Sequence, residues 1–551
     1  MKFIYDKELL GRYYKDILKN IILLLLISTL SVIAPLLLRN ALDYTVNIDF
    51  HSKIFQQKVF HPKMLAYYLI MITLLYVIKF LYNRFRFRFG EKFKNQETVN
   101  LYRKIFHVSY EKINEMEPTY LAERVSSTVN TIFNLYCTSL TGIFVSAVTV
   151  IVALWMVAEI NAGLAVLYFL QIPLQYFGFQ KLLNGEKSKL SVYSYELQNI
   201  SAQNNKNIKA VIADVNSIKQ YSDADGILSF INKSVSNITK TERKANSYAM
   251  DVCTLLEYIS LLLKNSSFLY ITYLYVAGSA SIGDMVYLSL INDLYYSAIS
   301  DVINIQINLR DLHGAARFVS QELEANYEDN GNIVLDRIDT ISGEIINIGY
   351  GDTTLITDGR FVFDKGDIIA LTGDSGTGKS TFVKMLNKFL RCDGIKVNGY
   401  DIENLENRSL REKVFYLAQN SYLLPFSVRD NITLGNSVSE EKWKQLLDMD
   451  FMQKFIRKER GLDMLILENG ANLSGGDKQK IMLGRIFLQD PEVLILDESF
   501  SAIDEKSGED IIAEIIRLFS EKIIIIISHS EKPLKHCNKR VMIREKKLIQ
   551  I

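Results

Sequence analysis

Long apolar runs alternate with charged stretches in the part of the chain that precedes Arg310. A helix needs roughly 20 residues to cross a bilayer core of about 30 Å, and six runs approach or exceed that length. They are residues 17–38, 64–82, 132–157, 164–179, 253–276 and 285–305. The first run is too long for the apolar part of a signal peptide. Pro35 and Pro173 lie within two of these runs, and membrane helices tolerate proline. The pattern therefore predicts six transmembrane helices.

Two connections between these runs, residues 83–131 and 180–252, are far longer than turns. Both are charged, poor in glycine and free of long apolar runs, which is typical of helices that continue into solvent. We expect spans 2 to 5 to extend into the cytosol and to turn at polar tips. The candidate tips are residues 115–120 and 212–216.

The distribution of basic residues predicts the orientation of the spans. Lysine and arginine are frequent before the first span and after the second and fourth, whereas residues 158–163 and 277–284 contain neither. The positive-inside rule then places both termini in the cytosol. We expect a multi-pass protein of the cell membrane, with a bacterial inner or plasma membrane as its location.

The pattern changes after a polar stretch at residues 326–332. Short apolar strands then alternate with helices, which is typical of an α/β nucleotide-binding sheet. The predicted strands are residues 367–373, 414–419, 493–497 and 523–528, and the last contains five consecutive isoleucines that predict a strand buried on both faces. The sequence thus predicts an α-helical membrane domain (1–325), a linker (326–332) and an α/β P-loop domain (333–551).

Composition excludes several function classes. The net charge is +1, so no global field favours nucleic acid as a partner. The four cysteines are scattered without a C-x-x-C pair, which predicts neither a disulfide framework nor a zinc site. A hydrophobic content of 48% with only 7 prolines fits neither a disordered nor a fibrous protein.

The segment Gly373-Asp374-Ser375-Gly376-Thr377-Gly378-Lys379-Ser380 is a complete G-x-x-x-x-G-K-S phosphate-binding loop. A predicted strand precedes it and a predicted helix follows, which is the context that such a loop requires. Backbone N–H groups of the loop and of the helix N-terminus bind phosphate oxygens. We expect Lys379 to reach the β- and γ-phosphates of ATP and Ser380 to ligate Mg²⁺.

The apolar strand at residues 493–497 ends in Asp497, and Glu498 follows it. A carboxylate at this position can hold the Mg²⁺ shell, and the next one can orient and deprotonate the attacking water. The alternative is an ordinary strand followed by an acidic helix start. The phosphate-binding loop upstream favours the catalytic interpretation.

Leu473-Ser474-Gly475-Gly476-Asp477 resembles the signature loop of the ATP-binding cassette (ABC) transporter family, and the resemblance covers nearly the full chain. It implies that Ser474 and Gly476 clamp the γ-phosphate of ATP held by an opposite subunit. One chain with one cassette therefore implies a dimer with two composite ATP sites. The fifth signature position is usually glutamine and here is Asp477.

The same resemblance assigns further roles at the ATP site. Gln419 matches the glutamine that senses Mg²⁺ and water, Asp504 the D-loop aspartate, His529 the switch histidine and Tyr350 the adenine-stacking aromatic residue. The cofactors implied are ATP and Mg²⁺. The predicted catalytic residues are Glu498, His529 and Gln419. The predicted metal ligands, some of them acting through water, are Ser380, Gln419 and Asp497. The predicted nucleotide-binding residues are Tyr350, Gly373, Asp374, Ser375, Gly376, Thr377, Gly378, Lys379, Ser380, Thr381, Ser474, Gly475, Gly476 and Asp504.

The membrane half resembles the six-helix exporter type (type IV) of this family, and more weakly bacterial peptide, bacteriocin or multidrug exporters. Pro118-Thr119 and residues 214–219 fall where that family has its coupling helices. The resemblance implies a half-transporter that works by alternating access, either as a homodimer or with a paralogous half-transporter.

Ionisable residues inside the predicted spans bear on the cargo. Glu257 and Lys264 lie seven residues apart on one helix face of span 5, and Asp293 lies on span 6. Charged groups at membrane depth face a cavity or one another. They therefore indicate either a polar cavity for a peptide-like or amphipathic cargo, or an internal ion pair that fixes helix packing.

Two other functions remain open. The chain could act as a membrane sensor or regulator with little net transport, although the set Lys379, Gln419, Glu498 and His529 is intact. It could also transport in the import direction, since these motifs do not encode direction.

Overall fold

The computed structural model describes residues 7–45, 62–183, 219–220, 225–350, 353–418, 422–458, 461–498, 505–528 and 534–550. The chain divides into two compact units. The first consists of Met1–His107 and Met116–Ala325, and the second consists of Val108–Glu115 and Asn326–Ile551.

In the residues described, the first unit consists of helices joined by short connections. Its helices are α1 (Lys7–Thr45), α2 (Pro62–Ile105), α4 (Pro118–Asn134), α5 (Leu140–Ile160), α6 (Ala162–Leu183), α7 (Asp225–Val276) and α8 (Ile282–Arg317). A π-helical turn, Leu135–Ser139, joins α4 to α5. Because α4, this turn and α5 follow one another without a break, the described residues form six long helical segments.

Three helices in the described part of the chain have the length and apolar composition that crossing a membrane requires. They are Gly11–Asp43, Lys63–Ile105 and Tyr120–Ile160, and they contain the first three predicted spans. The fourth predicted span coincides with a shorter apolar helix, Ala162–Leu174. The fifth and sixth predicted spans lie in α7 and α8, and their membrane crossing stays a prediction.

Two helices of the first unit are much longer than a bilayer is thick. Helix α2 has 44 residues and α7 has 52. At 1.5 Å per residue they span about 66 and 78 Å, more than twice the hydrocarbon core of about 30 Å. The predicted continuation beyond the spans is therefore present in both. Pro35 and Pro173 lie inside α1 and α6, which continue through them as predicted.

The helices of the first unit pack around buried aromatic and aliphatic side chains. Helix α8 contacts α1, α5 and α7, and its Tyr287, Leu288 and Tyr295 lie in the buried cluster. The Tyr295 hydroxyl donates to the backbone oxygen of Tyr168 at 2.6 Å, and the Tyr168 hydroxyl donates to Asn292. Buried hydroxyl groups need such partners, so these bonds fix how α6 and α8 meet.

The connection between α2 and α4 contains a short helix, and the break after that helix lies within the predicted tip 115–120. A short helix, α3 (Tyr110–Glu115), follows α2, and α4 then begins directly after Glu117 with Pro118 in its first turn. Proline is favoured there because the first helical N–H groups have no partner within the helix. Pro118-Thr119 thus begin α4, and their assignment to a coupling helix stays a prediction. Residues 212–216 lie outside the described residues.

The second unit is an α/β domain with a ten-stranded sheet in the order β5-β4-β1-β2-β10-β9-β3-β8-β7-β6. The strands are β1 (Thr340–Tyr350), β2 (Thr353–Asp364), β3 (Ile368–Gly373), β4 (Ile395–Val397), β5 (Tyr400–Asp401), β6 (Val414–Leu417), β7 (Val493–Asp497), β8 (Ile523–Ile527), β9 (Lys539–Arg544) and β10 (Lys547–Gln550). The helices are α9 (Lys379–Leu386), α10 (Asn407–Lys413), α11 (Val428–Thr433), α12 (Glu440–Asp448), α13 (Asp450–Lys458), α14 (Gly475–Gln489) and α15 (Glu505–Leu518).

The five isoleucines of β8 form a central strand that is buried on both faces, as predicted. Ile523, Ile525 and Ile527 belong to one hydrophobic cluster of the domain, whereas Ile524 and Ile526 belong to another. Successive side chains of a strand point to opposite faces, so this one strand contributes to both cores. Its neighbours β3 and β7 run parallel to it and carry the phosphate-binding loop and Asp497 at their ends.

Candidate functional site

Four neighbouring strands bring the predicted ATP-site segments to one edge of the sheet. Strands β3, β8, β7 and β6 are adjacent and parallel. Strand β3 ends at Gly373, and β8, β7 and β6 lead into Ser528, Glu498 and Ala418, respectively. Ligands of open α/β sheets bind at this edge. The topology therefore groups segments that are far apart in sequence.

The phosphate-binding loop has backbone conformations that only glycine adopts easily. Gly373 has φ +150°, and a Cβ there would lie 2.6 Å from the Ile543 backbone oxygen. Gly378, the residue before α9, has φ +102°. The loop thus forms a tight turn between β3 and α9, with the first N–H groups of the helix at its end. Such N–H groups and the helix dipole favour a bound phosphate.

Lys379 lies at the first position of α9 and folds back over the loop. Its Nζ donates to the backbone oxygens of Gly373 and Asp374, at 2.8 Å in both cases. The residue is only 8% exposed. The ammonium group is therefore held within the loop. Ser380 and Thr381 follow in the first turn of the same helix.

Asp497 ends the buried strand β7 and is only 4% exposed. Its Oδ2 accepts a hydrogen bond from the Tyr416 hydroxyl at 2.9 Å. Burial and the adjacent carboxylate raise the pKa of Tyr416, so its hydroxyl remains a donor. Tyr416 thereby fixes the orientation of the carboxylate. Sequence reasoning missed this role, because the contact depends on the pairing of β6 with β7.

Carboxylate and hydroxyl oxygens are the ligands that Mg²⁺ prefers, usually in small number beside phosphate oxygens. Asp497 supplies an oriented carboxylate, and Ser380 supplies a hydroxyl next to the phosphate-binding loop. Strands β3 and β7 are separated only by β8, hence by about 10 Å. The residues present therefore fit a magnesium nucleoside triphosphate.

Glu498 has a left-handed backbone conformation, with φ +46°. Its N–H donates to the Ile527 backbone oxygen at 3.0 Å, so the β7–β8 pairing continues to this residue. Non-glycine residues rarely adopt positive φ, and such strain is concentrated at functional sites. The half-buried side chain lies directly beyond the strand end, next to the segment that leads to Ser528.

The signature loop ends at the start of helix α14. Ser474 is the N-cap of this helix, and Gly475 and Gly476 form its first turn. Ser474 is exposed, as contact with another molecule requires, whereas Asp477 is 1% exposed. Asp477 hydrogen-bonds to Ser474 and also contacts Lys480 Nζ at 3.2 Å.

Some predicted site residues cannot be placed. Gln419, Asp504 and His529 lie outside the described residues, and the side chain of Tyr350 is not described either. Their roles stay predictions. The strands that lead towards Gln419 and His529, β6 and β8, end at the same sheet edge as the phosphate-binding loop.

The short helix α3 belongs to the compact unit of the nucleotide-binding domain, although α2 and α4 flank it in sequence. The Tyr110 ring stacks on Phe389 with centroids 5.0 Å apart, and Lys384 Nζ lies 5.4 Å from the Tyr110 centroid. Lys384 is part of α9, the helix that Lys379 begins. A segment covalently joined to the helical unit thus packs on the helix that follows the phosphate-binding loop.

The predicted contact between Lys264 and Asp293 is present in the helical unit, as an ion pair between α7 and α8. The two side chains are 35% and 69% exposed, so the pair is accessible. Glu257, also on α7, is exposed. Both interpretations of these residues, a polar cavity and a packing pair, are compatible with this arrangement.

A match to a known protein family covers residues that lie at the carboxyl edge of the sheet. The model of the family described as "ABC transporter" matches residues 356–501, which include the phosphate-binding loop, the signature loop, Asp497 and Glu498. This domain binds ATP. The phosphate-binding loop, Asp497 and Glu498, which the parallel strands group at the carboxyl edge, all lie within this match.

Two relatives illustrate the range of similar proteins. The SPbeta prophage-derived sublancin-168-processing and transport ATP-binding protein SunT of Bacillus subtilis is 29% identical over 279 residues, which are 49% of this chain and 39% of SunT. A protein of Rickettsia typhi that bears the name export ATP-binding/permease protein is 25% identical over 574 residues, covering 100% of this chain and 95% of its own length. The chain thus spans well under half of SunT and nearly all of the Rickettsia protein.

A solved structure of a bacterial Atm1-family ABC exporter with ATP bound has a similar fold, with a TM-score of 0.83. The two chains share 17% identity, and the match covers 97% of this chain and 94% of the other. The predicted fold class, a helical N-terminal half followed by an α/β nucleotide-binding cassette, is therefore confirmed.

Proposed function

We propose that this chain, an exporter-type half-transporter of the ABC transporter superfamily, exports a peptide-like or amphipathic molecule. Two copies would share two ATP sites, and ATP binding and hydrolysis would drive alternating access across a cell membrane. The observation that carries this proposal is the sheet edge. In one chain with six long helical segments, four parallel strands group the phosphate-binding loop, Asp497 and Glu498.

The chemistry follows from the positions of these residues. Magnesium-bound ATP supplies the phosphoryl group to be transferred to water. Lys379, now on the Gly373 and Asp374 oxygens, would hold phosphate, and Asp497 and Ser380 would hold the ion. Glu498, the residue after β7, would accept a proton from the attacking water.

The same site needs a second chain in this proposal. The signature loop, with Ser474 exposed at the start of α14, would close on nucleotide held by the other copy. A preorganised set of donors around the γ-phosphate stabilises the charge that develops during transfer. Because Glu498 is present as the base in this chain, two equal sites in a homodimer are favoured over pairing with a paralogue.

The proposed cargo class rests on the helical unit. The accessible Lys264–Asp293 pair places both charge signs on helices that contain predicted spans. Charges there are costly unless they face water, a partner or a substrate. A mixed-charge surface suits a peptide-like or amphipathic cargo. One relative is named for the processing and transport of sublancin, which agrees with this class.

Untargeted mass spectrometry of medium and cell extract tests the direction and the cargo. Cells expressing the wild type are compared with cells expressing Glu498→Gln at equal protein level. We expect a set of peptide-like or amphipathic species to be lost from the medium and retained in the variant cells. The reverse distribution would indicate import. Identical profiles from cells whose wild-type protein hydrolyses ATP would contradict export and support the regulator function.

A further inference from the structure

Asp477 holds the side chain that the signature loop is expected to present to ATP. The Ser474 hydroxyl donates its hydrogen bond to Asp477 Oδ2. In return, the Asp477 backbone N–H donates to Ser474 Oγ at 3.3 Å. Ser474 and Asp477 thus cap the first turn of α14 together.

The environment of Asp477 keeps this arrangement in place. Its side chain is 2% exposed, and Lys480 Nζ contacts the other carboxylate oxygen at 3.2 Å. A buried carboxylate needs a partner of opposite charge, and Lys480 supplies it one helical turn away. The N-terminus of α14 also favours a negative charge at this position.

Asp477 differs from the glutamine that is usual at this position in the hydrogen bonds that its side chain can make. A serine hydroxyl has one proton to donate, and an ionised carboxylate can only accept. A glutamine or asparagine amide can instead donate to Ser474 Oγ, which leaves the hydroxyl proton available. A phosphate oxygen needs that same proton, because phosphate also accepts.

We infer that Asp477 is a positioning residue that retains the Ser474 hydroxyl proton, so that ATP held by the second copy must compete for it. This inference rests on the proposed function and concerns the same site. Closure of the signature loop on ATP requires the Ser474–Asp477 bond to break, and the buried carboxylate then loses a donor. With an aspartate at position 477, closure of the signature loop therefore requires a higher ATP concentration than it would with a glutamine or asparagine there.

Asp477→Asn and Asp477→Gln, two variants with an amide donor, test this role. We expect each to lower the KM for ATP about ten- to a hundredfold, because one hydrogen bond to a charged group no longer opposes closure. The measurement is the ATPase rate of the purified full chain over a range of ATP concentrations, with kcat and KM separated. In the Glu498→Gln background, the ATP concentration for half-maximal nucleotide retention should fall by the same factor.

The chain offers a matched control in the same domain. Ser427 caps α11 and donates to Asp430 Oδ2 at 2.7 Å, while the Asp430 N–H donates to Ser427 Oγ at 3.0 Å. Asp430→Asn therefore alters the same kind of cap outside the ATP site. We expect this variant to leave the KM for ATP unchanged.

The outcomes separate this inference from the proposed function. An unchanged or higher KM in both Asp477 variants, with a loss of thermal stability matching that of Asp430→Asn, would show a helix cap only and overturn the inference. A wild type that does not hydrolyse ATP at all would contradict the proposed function itself. A lower KM in both amide variants supports competition for the Ser474 proton.

Discussion

Glu498→Gln is expected to lower ATP turnover by about 10²- to 10⁴-fold, the usual contribution of a general base. Glutamine keeps the size of the side chain and its place after β7, but it cannot accept the proton of the attacking water. ATP binding should persist, because the phosphate-binding loop and Lys379 are untouched. Steady-state phosphate release and equilibrium nucleotide binding, measured on the same purified sample, check both parts.

Glu545 provides the matched control for this substitution. It is a second glutamate of the domain with a left-handed backbone, at φ +52°, and it lies in the turn between β9 and β10, where its side chain is exposed. Glu545→Gln should retain wild-type turnover. Undiminished turnover in Glu498→Gln would show that another group takes the proton.

Lys379→Ala should reduce affinity for ATP at least about tenfold and bring ATPase to background. A charge-assisted hydrogen bond contributes about 1.5–3 kcal/mol, and each 1.4 kcal/mol is a factor of ten in affinity. The variant also leaves the Gly373 and Asp374 backbone oxygens without the ammonium that they contact at 2.8 Å. Binding of a fluorescent ATP analogue measures the first effect.

Lys388→Ala is the control that distinguishes the loss of a phosphate-binding lysine from the loss of any buried lysine. Lys388 Nζ donates to the backbone oxygens of Glu403 and Leu405 at 2.9 Å, and the residue is 8% exposed, like Lys379. Burial lowers its pKa. Lys388→Ala should lower thermal stability without changing ATP affinity. Wild-type ATP affinity in Lys379→Ala would contradict the role of the loop lysine.

Most of the architecture followed from strong local patterns. The apolar runs predicted the long helices, and the isoleucine run 523–527 predicted a strand buried on both faces, since five apolar residues are too few to span a bilayer. The phosphate-binding loop was recognisable because its glycines and lysine are contiguous. Each of these features depends on residues that are close together in sequence.

The features that sequence reasoning missed depend on contacts between distant residues. Tyr416 and Asp497 meet only because β6 pairs with β7, and nothing in either segment alone indicates this hydrogen bond. Helix α3 has six residues, too few for an apolar period to be recognised. The tip predicted at residues 115–120 contains Pro118, but proline also starts helices, as it does in α4.

The central claim is that two copies of this chain build each ATP site together, and a mixed dimer tests it. A Lys379→Ala chain and a Ser474→Ala chain carry different affinity tags, are co-expressed, and are purified as the doubly tagged pair. In that pair, one site joins the intact Lys379 to the intact Ser474, and the other site lacks both. We predict ATPase activity well above that of either single-variant homodimer. A mixed pair no more active than its two parents would contradict the shared site.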